Sequence, residues 1–364
     1  MKRLSEKGRL RLIRTSRNRL NERLRHRPVK KRVTSSNTKK PRPLELFAPE
    51  KLALLSPQCH LEMARFLRNL RKEALRNEKL IINFKRTKKV HSCGTLLLVA
   101  EVDRLVRSLH GRCDLTCTYP KDENVEKVFQ QIGLLRLLQK DHRLEVTEAD
   151  RDVYHWRFAT GIEVDPIQAD PILKGIKKQI PSSFRKIVVG VEEAMDNSIH
   201  HAYIEARGDR LSGIAEADAR RWWMFAEVLD DWLHVNFCDL GIGIPRSLPR
   251  SWSEEAGDLV TLAVSKGKKD MRMVRRAFEI GRTRTEQDHR GKGLRNIAAA
   301  AMDLGGLLTV HSNAGGIRFD YREDSTDARE LSYKRSIMGT VVQWSIPLSV
   351  SQVAENERGT PSSH

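Results

Sequence analysis

The chain reads Glu193-Ala-Met-Asp-Asn197-Ser-Ile-His-His201 and then, about forty residues on, Asp239-Leu-Gly241-Ile-Gly243-Ile-Pro245. The first stretch spaces a carboxylate, a carboxamide and an imidazole four residues apart. In a helix this puts them on one face, each turned ~40° from the last. Beside them Ile187, Val191, Ala194, Met195, Ile199 and Ala202 form an apolar stripe. A helix from Phe184 to about Ile204 is therefore expected, with the polar triplet at the rim of a cavity. The second stretch begins where a hydrophobic strand, Trp232 to Cys238, runs out. A preceding strand, Trp222 to Leu229, is joined to it by Asp230-Asp231, which suits a tight hairpin turn. Asp239 thus stands at a strand end, and Gly241 and Gly243 permit backbone angles closed to other residues and close approach to a flat ligand.

Two further elements follow in order. Arg290-Gly291-Lys292-Gly293-Leu294 enters a helix carrying Ile297, Ala300, Ala301 and Leu304. Glycines at a helix start expose backbone N–H groups at the positive end of the helix dipole, which favours phosphate, and Lys292 adds charge. Met338-Gly339-Thr340-Val341 then opens a strand that continues through Trp344 to Pro347. The set suits a nucleotide site built without a P-loop. The Asn197 carbonyl oxygen can take one position on Mg2+, a hard octahedral ion. Glu193 can orient or deprotonate a nucleophile for in-line attack, and His201 can hydrogen-bond phosphate or hold the carboxylate. A buried carboxylate at Asp239 can accept a hydrogen bond from an exocyclic amine such as adenine N6. Singly, each motif also occurs on solvated helices or in ordinary turns; the ordered set carries the reading.

In this order the motifs resemble the N, G1, G2 and GT boxes of the GHKL superfamily, which includes the ATPase subunit of DNA gyrase, histidine kinases, MutL and the anti-sigma-factor serine kinases. The resemblance covers residues ~165–347. It implies a Bergerat-fold α/β sandwich, with a sheet covered on one face by helices, and ATP with Mg2+ as cofactors. It further implies Asn197 on Mg2+, Asp239 on the adenine amine, Gly241 and Gly243 in the adenine-side turn, and Thr340 near the base, directly or through water. Gly291, Lys292, Gly293 and Leu294 would hold phosphate, His201 would lie beside it, and Glu193 would be the catalytic carboxylate. The stretch Arg246–His289 would be an ATP lid. Of its many cations, Arg282 and Arg284 are expected near the ligand, while the rest read equally well as a solvated helix face. His60 and His91 lack the helical context of a histidine-kinase phosphoacceptor, and the transducer domain of the gyrase and MutL branch is not expected in the short stretch after Pro347. His201-Ala202-Tyr203 is most similar to the anti-sigma-factor serine kinase branch.

Upstream, a leading helix or two is expected over Pro49–Asn77, a strand at Leu80–Phe84, a helix at Thr95–Leu109, a strand at Asp114–Thr118 and a helix at Asn124–Leu138. Strand, helix, strand, helix reads as a small α/β domain. With His91-Ser92-Cys93-Gly94 at the mouth of its first helix, it resembles a STAS domain, the fold of anti-sigma-factor antagonists. In that family a strand ends in Asp-Ser-Ser-Gly; here His91 replaces the acid and Cys93 stands at the phosphorylated serine. The resemblance therefore implies a domain that docks partners without being phosphorylated at that position. Tyr154–Phe158 suggests a strand and Pro166–Ile180 a helix stopped at Pro181. The expected organisation is a basic tail (1–43), a STAS-like domain (44–150), an ATP-binding domain (151–350) and a short tail (351–364), an α/β chain of α+β character.

Composition bounds the function. The net charge of +19 is concentrated in residues 1–43, where 17 Lys and Arg face only Glu6 and Glu22, a surplus of +15. Pro, Ser, Thr and Lys dominate from Pro28, so disorder is expected there, as it is after Ser351. Such a tail suits a phosphate backbone or an acidic partner, or is simply solvated. Five cysteines, an odd number, read as reduced thiols of a cytoplasmic protein, and Cys113-x-x-x-Cys117 lacks a second ligand pair for zinc. No apolar run approaches the ~20 residues of a membrane span, and no secretory signal is seen. The leading expectation is a Mg-ATP-dependent kinase or ATPase switch acting on a protein partner, with a homodimer possible. The alternatives are a non-catalytic, ATP-responsive interaction module and a nucleic-acid-associated ATPase that uses the basic tail.

Overall fold

Punctuation in the sequence sets the elements. Ser56 caps a helix by accepting from the Cys59 N–H at 3.2 Å, with Pro57 in the first turn, where its missing N–H costs nothing. Asp230 and Asp231 both take positive φ, 50° and 59°, the two-residue hairpin geometry whose twist matches its flanking strands. The computed structural model describes residues 43–109, 111–147, 150, 156–209, 211, 220–251, 268–283, 293–322 and 328–348. The sequence expectations for the basic tail, for Tyr154 and for the stretch after Ser351 lie outside these described residues.

The first half of the chain forms β1 (Leu44–Phe47), β2 (Lys51–Leu52), α1 (Pro57–Ala74), β3 (Lys79–Asn83), β4 (Lys89–Val90), α2 (Ser92–Leu109), β5 (Asp114–Thr118), α3 (Glu123–Gln131) and α4 (Leu134–Leu137). The second half forms β6 (Arg157–Gly161), α5 (Asp170–Gln179), α6 (Phe184–Asn197), β7 (Trp222–Leu229), β8 (Trp232–Asp239) and α7 (Ile244–Ser251). It continues with α8 (Lys269–Thr283), α9 (Gly293–Asp303), β9 (Leu307–Ser312), β10 (Gly315–Asp320), β11 (Ala328–Ser332) and β12 (Thr340–Pro347). The class is mixed α/β, with a parallel sheet β1-β3-β5 and a seven-stranded antiparallel sheet in the order β11-β10-β9-β12-β8-β7-β6. No helix among the described residues is long and apolar enough to cross a membrane.

Both faces of the central strands of the large sheet are buried. Trp222 and Met224 of β7, with Val342 and Trp344 of β12, pack with side chains of α5, α6 and α9. The alternate residues Trp223, Phe225, Cys238 and Val341 pack instead with α2 and the rest of the first half. Burial on both faces suits β7, which reads as a near-continuous apolar run, whereas β8 and β12 keep alternating polar residues, His234 and Asn236, Gln343 and Ser345, on the face that carries Cys238 and Val341. Every residue of β12 is buried. The first half therefore shares a core with the large sheet.

The differences from sequence expectation are local. Leu44–Phe47 and Lys51–Leu52 pair in parallel with β3 and β4, so α1 begins only at Pro57. Such pairing is non-local and leaves little trace in a four-residue window. The helix expected over Asn124–Leu138 breaks at Gly133, whose φ of 78° interrupts it. The helix expected to reach Ile204 ends at Asn197 and passes into a wider π-type turn, Ser198–Ala202.

Trp344 anchors the helix-covered face. Its ring is fully buried and its Nε1–H donates to Ile297 O of α9 at 2.6 Å. Trp344→Ala is expected to cost about 3–5 kcal/mol, read as a lower urea midpoint in an otherwise single unfolding transition.

Candidate functional site

The register of the central strands builds the site. β12 runs antiparallel to β8 with Thr340 opposite Asp239, and antiparallel to β9 with Thr340 opposite Ser312. Three polar side chains are thereby gathered at one end of the central strands. The Thr340 hydroxyl hydrogen-bonds the Asp239 carboxylate and lies 3.0 Å from Ser312 Oγ. Ser312 Oγ also accepts from the N–H of Ile244 at 2.9 Å, tying the start of α7 to the same strand ends.

Asp239 opens the loop expected from the Asp-x-Gly-x-Gly pattern. One carboxylate oxygen accepts from Gly241 N–H at 2.9 Å. Gly241 is required for a reason the sequence did not show. A Cβ there would lie 2.2 Å from the carbonyl oxygen of Ala202, which accepts from Ile242 N–H at 2.7 Å. The close approach is thus between this loop and the turn that ends α6, so the two opening motifs are in direct contact. Gly243 takes φ of 77° and packs against the Asn313 side chain.

α6 supplies the second wall. Asn197 donates from its amide to Glu193 O at 2.8 Å, which turns its carbonyl oxygen, the end that can ligate a metal, away from the helix backbone. The wider turn after Asn197 carries His201 to the same cavity. Burial pushes the His201 imidazole below its ordinary pKa, which favours the neutral ring. Glu193 Oε1 accepts from Asn296 of α9 at 2.8 Å. Its other oxygen faces the first residue of α9: a Cβ on Gly293 would meet it at 2.8 Å. The helix start expected to hold phosphate therefore lies beside the proposed catalytic carboxylate.

Between these walls is a cavity of about 150 Å³, room for a flat ring system. Ile244, Leu248, Ile297, Leu294, Phe237 and Val342 give it apolar walls, and the Asp239–Thr340 pair, Asn197 and His201 are among the polar groups of its lining. Glu193 is part-buried just outside this lining, held by Asn296. Arg282 falls in the last turn of α8, and its side chain, like Arg284, Gly291 and Lys292, lies outside the described residues. Several other lid cations face away from the cavity. Arg246 and Arg250 pair with Glu205, and Arg275 pairs with Glu279 and Glu330.

Three contributors were missed in the sequence. Asn296 and Ser312 carry no motif of their own. Asn313, at φ of 54°, donates to Ile242 O at 2.7 Å and accepts from Gly339 N–H at 3.3 Å, joining the Asp239 loop to the Gly339-Thr340 turn. Asn313-Ala-Gly-Gly is a turn signature that could have flagged it. Cys93, by contrast, is fully buried against the far face of the sheet. Burial pushes its thiol up to about 11, so it is neither an exposed acceptor nor a thiolate.

The residues fit the nucleotide that the motifs imply. A buried acceptor stands in the lining of a ring-sized apolar slot, and one hard oxygen, Asn197, suits a cation whose other ligands come from phosphate and water. Neither a protein-family model nor a curated protein matches the chain.

Burial pushes Asp239 up to about 6, against the opposing effect of the Gly241 N–H, the Thr340 hydroxyl and the Arg207 charge. A carboxyl whose folded pKa is raised stabilises the fold below its unfolded pKa, and this contribution is lost as pH rises from about 4 to about 6. Asp239→Asn should therefore make the ligand-free protein more stable at pH 7.5, by on the order of 2 kcal/mol, with the gain vanishing near pH 4. Thermal melts of both proteins across that range check the sign.

Proposed function

We propose that the protein is a Mg-ATP-binding regulatory switch of the histidine-kinase-like ATPase type, working in the cytoplasm as a serine/threonine kinase or ATPase on a protein partner. The observation that carries this reading is the buried Asp239–Thr340 pair in the lining of the ring-sized apolar slot. An ionised acceptor beside a hydroxyl suits an adenine edge, whose N6 amine donates. The motif order that resembles the GHKL superfamily supports the same reading. Asn197 would offer its carbonyl oxygen to Mg2+, which neutralises phosphate charge when bound. His201 would hydrogen-bond phosphate, and the N–H groups opening α9 would face it. Glu193, oriented by Asn296, would hold the attacking hydroxyl of a partner side chain or of water.

One observation favours a second reading, in which ATP acts as a conformational ligand only. Cys93, at the position of the STAS phosphoacceptor, is buried in the core on the sheet face opposite the slot, so transfer to it within the chain has no route. Any transfer then needs an acceptor outside the chain.

Calorimetry with Mg-ATP and single variants tests both readings. Asp239→Asn should weaken ATP binding by one to two orders of magnitude, the worth of a charge-assisted hydrogen bond of about 1.5–3 kcal/mol. Unchanged affinity would remove the site assignment. Glu193→Ala should bind ATP nearly as the wild type does yet lose hydrolysis or phosphotransfer. If the wild type itself turns nothing over, alone or with lysate proteins as acceptors, the conformational-ligand reading replaces the kinase one.

A further inference from the structure

Between the first half of the chain and the slot lies a buried cluster of charge that the proposed chemistry does not use. Glu101 of α2 is fully buried and forms ion pairs with Arg71 of α1, at 3.0 Å, and with Arg207. Arg207 follows the turn that ends α6 and is itself buried, and Arg104 of α2 pairs with neighbouring Asp209. Burial pushes the Glu101 carboxyl up, but the Arg207, Arg71 and Arg104 charges outweigh it, so the carboxylate stays ionised.

The rest of the Arg207 guanidinium points at the turn before β12. Its Nε–H donates to Met338 O at 2.8 Å, and Nη2 donates to the same oxygen and to Ile337 O at 3.4 Å. That turn is under constraint. Met338 has φ of 60°, a left-handed conformation that a side chain disfavours. Gly339 follows at φ of 146°, pressed so closely on β8 that a Cβ would lie 2.3 Å from Asp239 O. Thr340, the next residue, places its hydroxyl on Asp239 and beside Ser312. Backbone strain of this kind persists only where surrounding groups hold it. Two side chains hold Met338: Ser336 Oγ accepts its N–H at 2.9 Å and Arg207 grips its carbonyl.

We propose that Arg207, anchored by Glu101 of α2, is a positioning residue that sets adenine specificity by holding the Met338–Thr340 turn against Asp239. The inference rests on the ATP reading of the slot and extends it, because seating of the STAS-like half on the sheet then governs how well the base is read. A planar guanidinium spreads its donors over three nitrogens in a fixed fork that spans a carboxylate and two carbonyls, whereas an ammonium directs its donors from one nitrogen, so lysine is not equivalent here. The same positive charge favours the ionised form of Asp239, the form that accepts from an amine.

The test compares ATP with purine riboside 5′-triphosphate, which lacks the 6-amino group, by calorimetry on the full chain. A readout of preference separates positioning from general loss of structure. Arg207→Lys keeps a positive charge near Glu101 but gives up the grip on the turn. It should cut the preference for ATP about fivefold or more, leaving affinity for the purine analogue close to that of the wild type. Glu101→Gln, which leaves Arg207 in place but removes its anchor, should act in the same direction and carries the test if the lysine variant does not fold, as checked by thermal melts. A wild-type preference that both variants retain, or an equal loss of affinity for both nucleotides, overturns the inference. Absence of ATP binding by the wild type overturns the nucleotide reading as well, so the two failures are distinguishable.

Discussion

The antiparallel register of β8 with β12 is the constraint on which the site depends. Thr340 meets Asp239 because eight residue pairs, down to Pro347 against Trp232, lock the two central strands together. A slip of one residue would turn Trp344 and Val342 from the helix-covered core to the opposite face. The large apolar side chains on both faces thus fix the register, and the register fixes the polar pair. Asp239 is ordered by strand pairing before any ligand arrives, which spares a ligand the entropy of organising it.

The electrostatics follow from that placement. Setting a carboxyl at a buried strand end costs stability, seen in the raised pKa of Asp239, and the groups around it offset part of the cost. Nearby, Glu101, Arg71, Arg207, Arg104 and Asp209 form a buried network across the join between the two halves. Such networks are a weak source of net stability, since desolvation offsets the attraction. Their geometry is demanding, however. Here it fixes α2, the segment after α6 and the turn into β12 relative to one another.

How much of this was legible follows from the range of each interaction. The Asp230-Asp231 hairpin, the strands it joins, β5 and β12 were readable because local composition and apolar runs dictate them. The polar stripe Glu193-Asn197-His201 was readable from spacing, although the wider turn at Ser198–Ala202 was not; that turn seats Ala202 against Gly241, a contact made across forty residues. β1 and β2 were missed because short strands are specified by their partners. Asn313, Asn296 and Arg207 were missed for the same reason. Each acts through backbone or side chains distant in sequence; of the three, only Asn313 has a local mark, the Asn-Ala-Gly-Gly turn, and that turn does not name its partners. Gly241 is legible as a turn glycine, but the atom it makes room for, the Ala202 carbonyl oxygen, lies about forty residues away in sequence.

Burial of both sheet faces also sets how this chain would work. The slot lies on the α6 and α9 side, while α2 covers the other side and is linked to the slot through the ends of β8 and β12 and through Arg207. On the proposed ATP reading, a change felt by α2 would reach the slot by that route, and a nucleotide held by Asp239 would act back on it with equal coupling free energy. The most direct measurement of the central claim is a crystal structure with Mg2+ and a non-hydrolysable ATP analogue. The account predicts the adenine ring between Ile244 and Ile297, with N6 in hydrogen-bond contact with Asp239 and the phosphates at the start of α9 beside Asn197. A nucleotide bound elsewhere, or a base in the slot that makes no contact with Asp239, would contradict it.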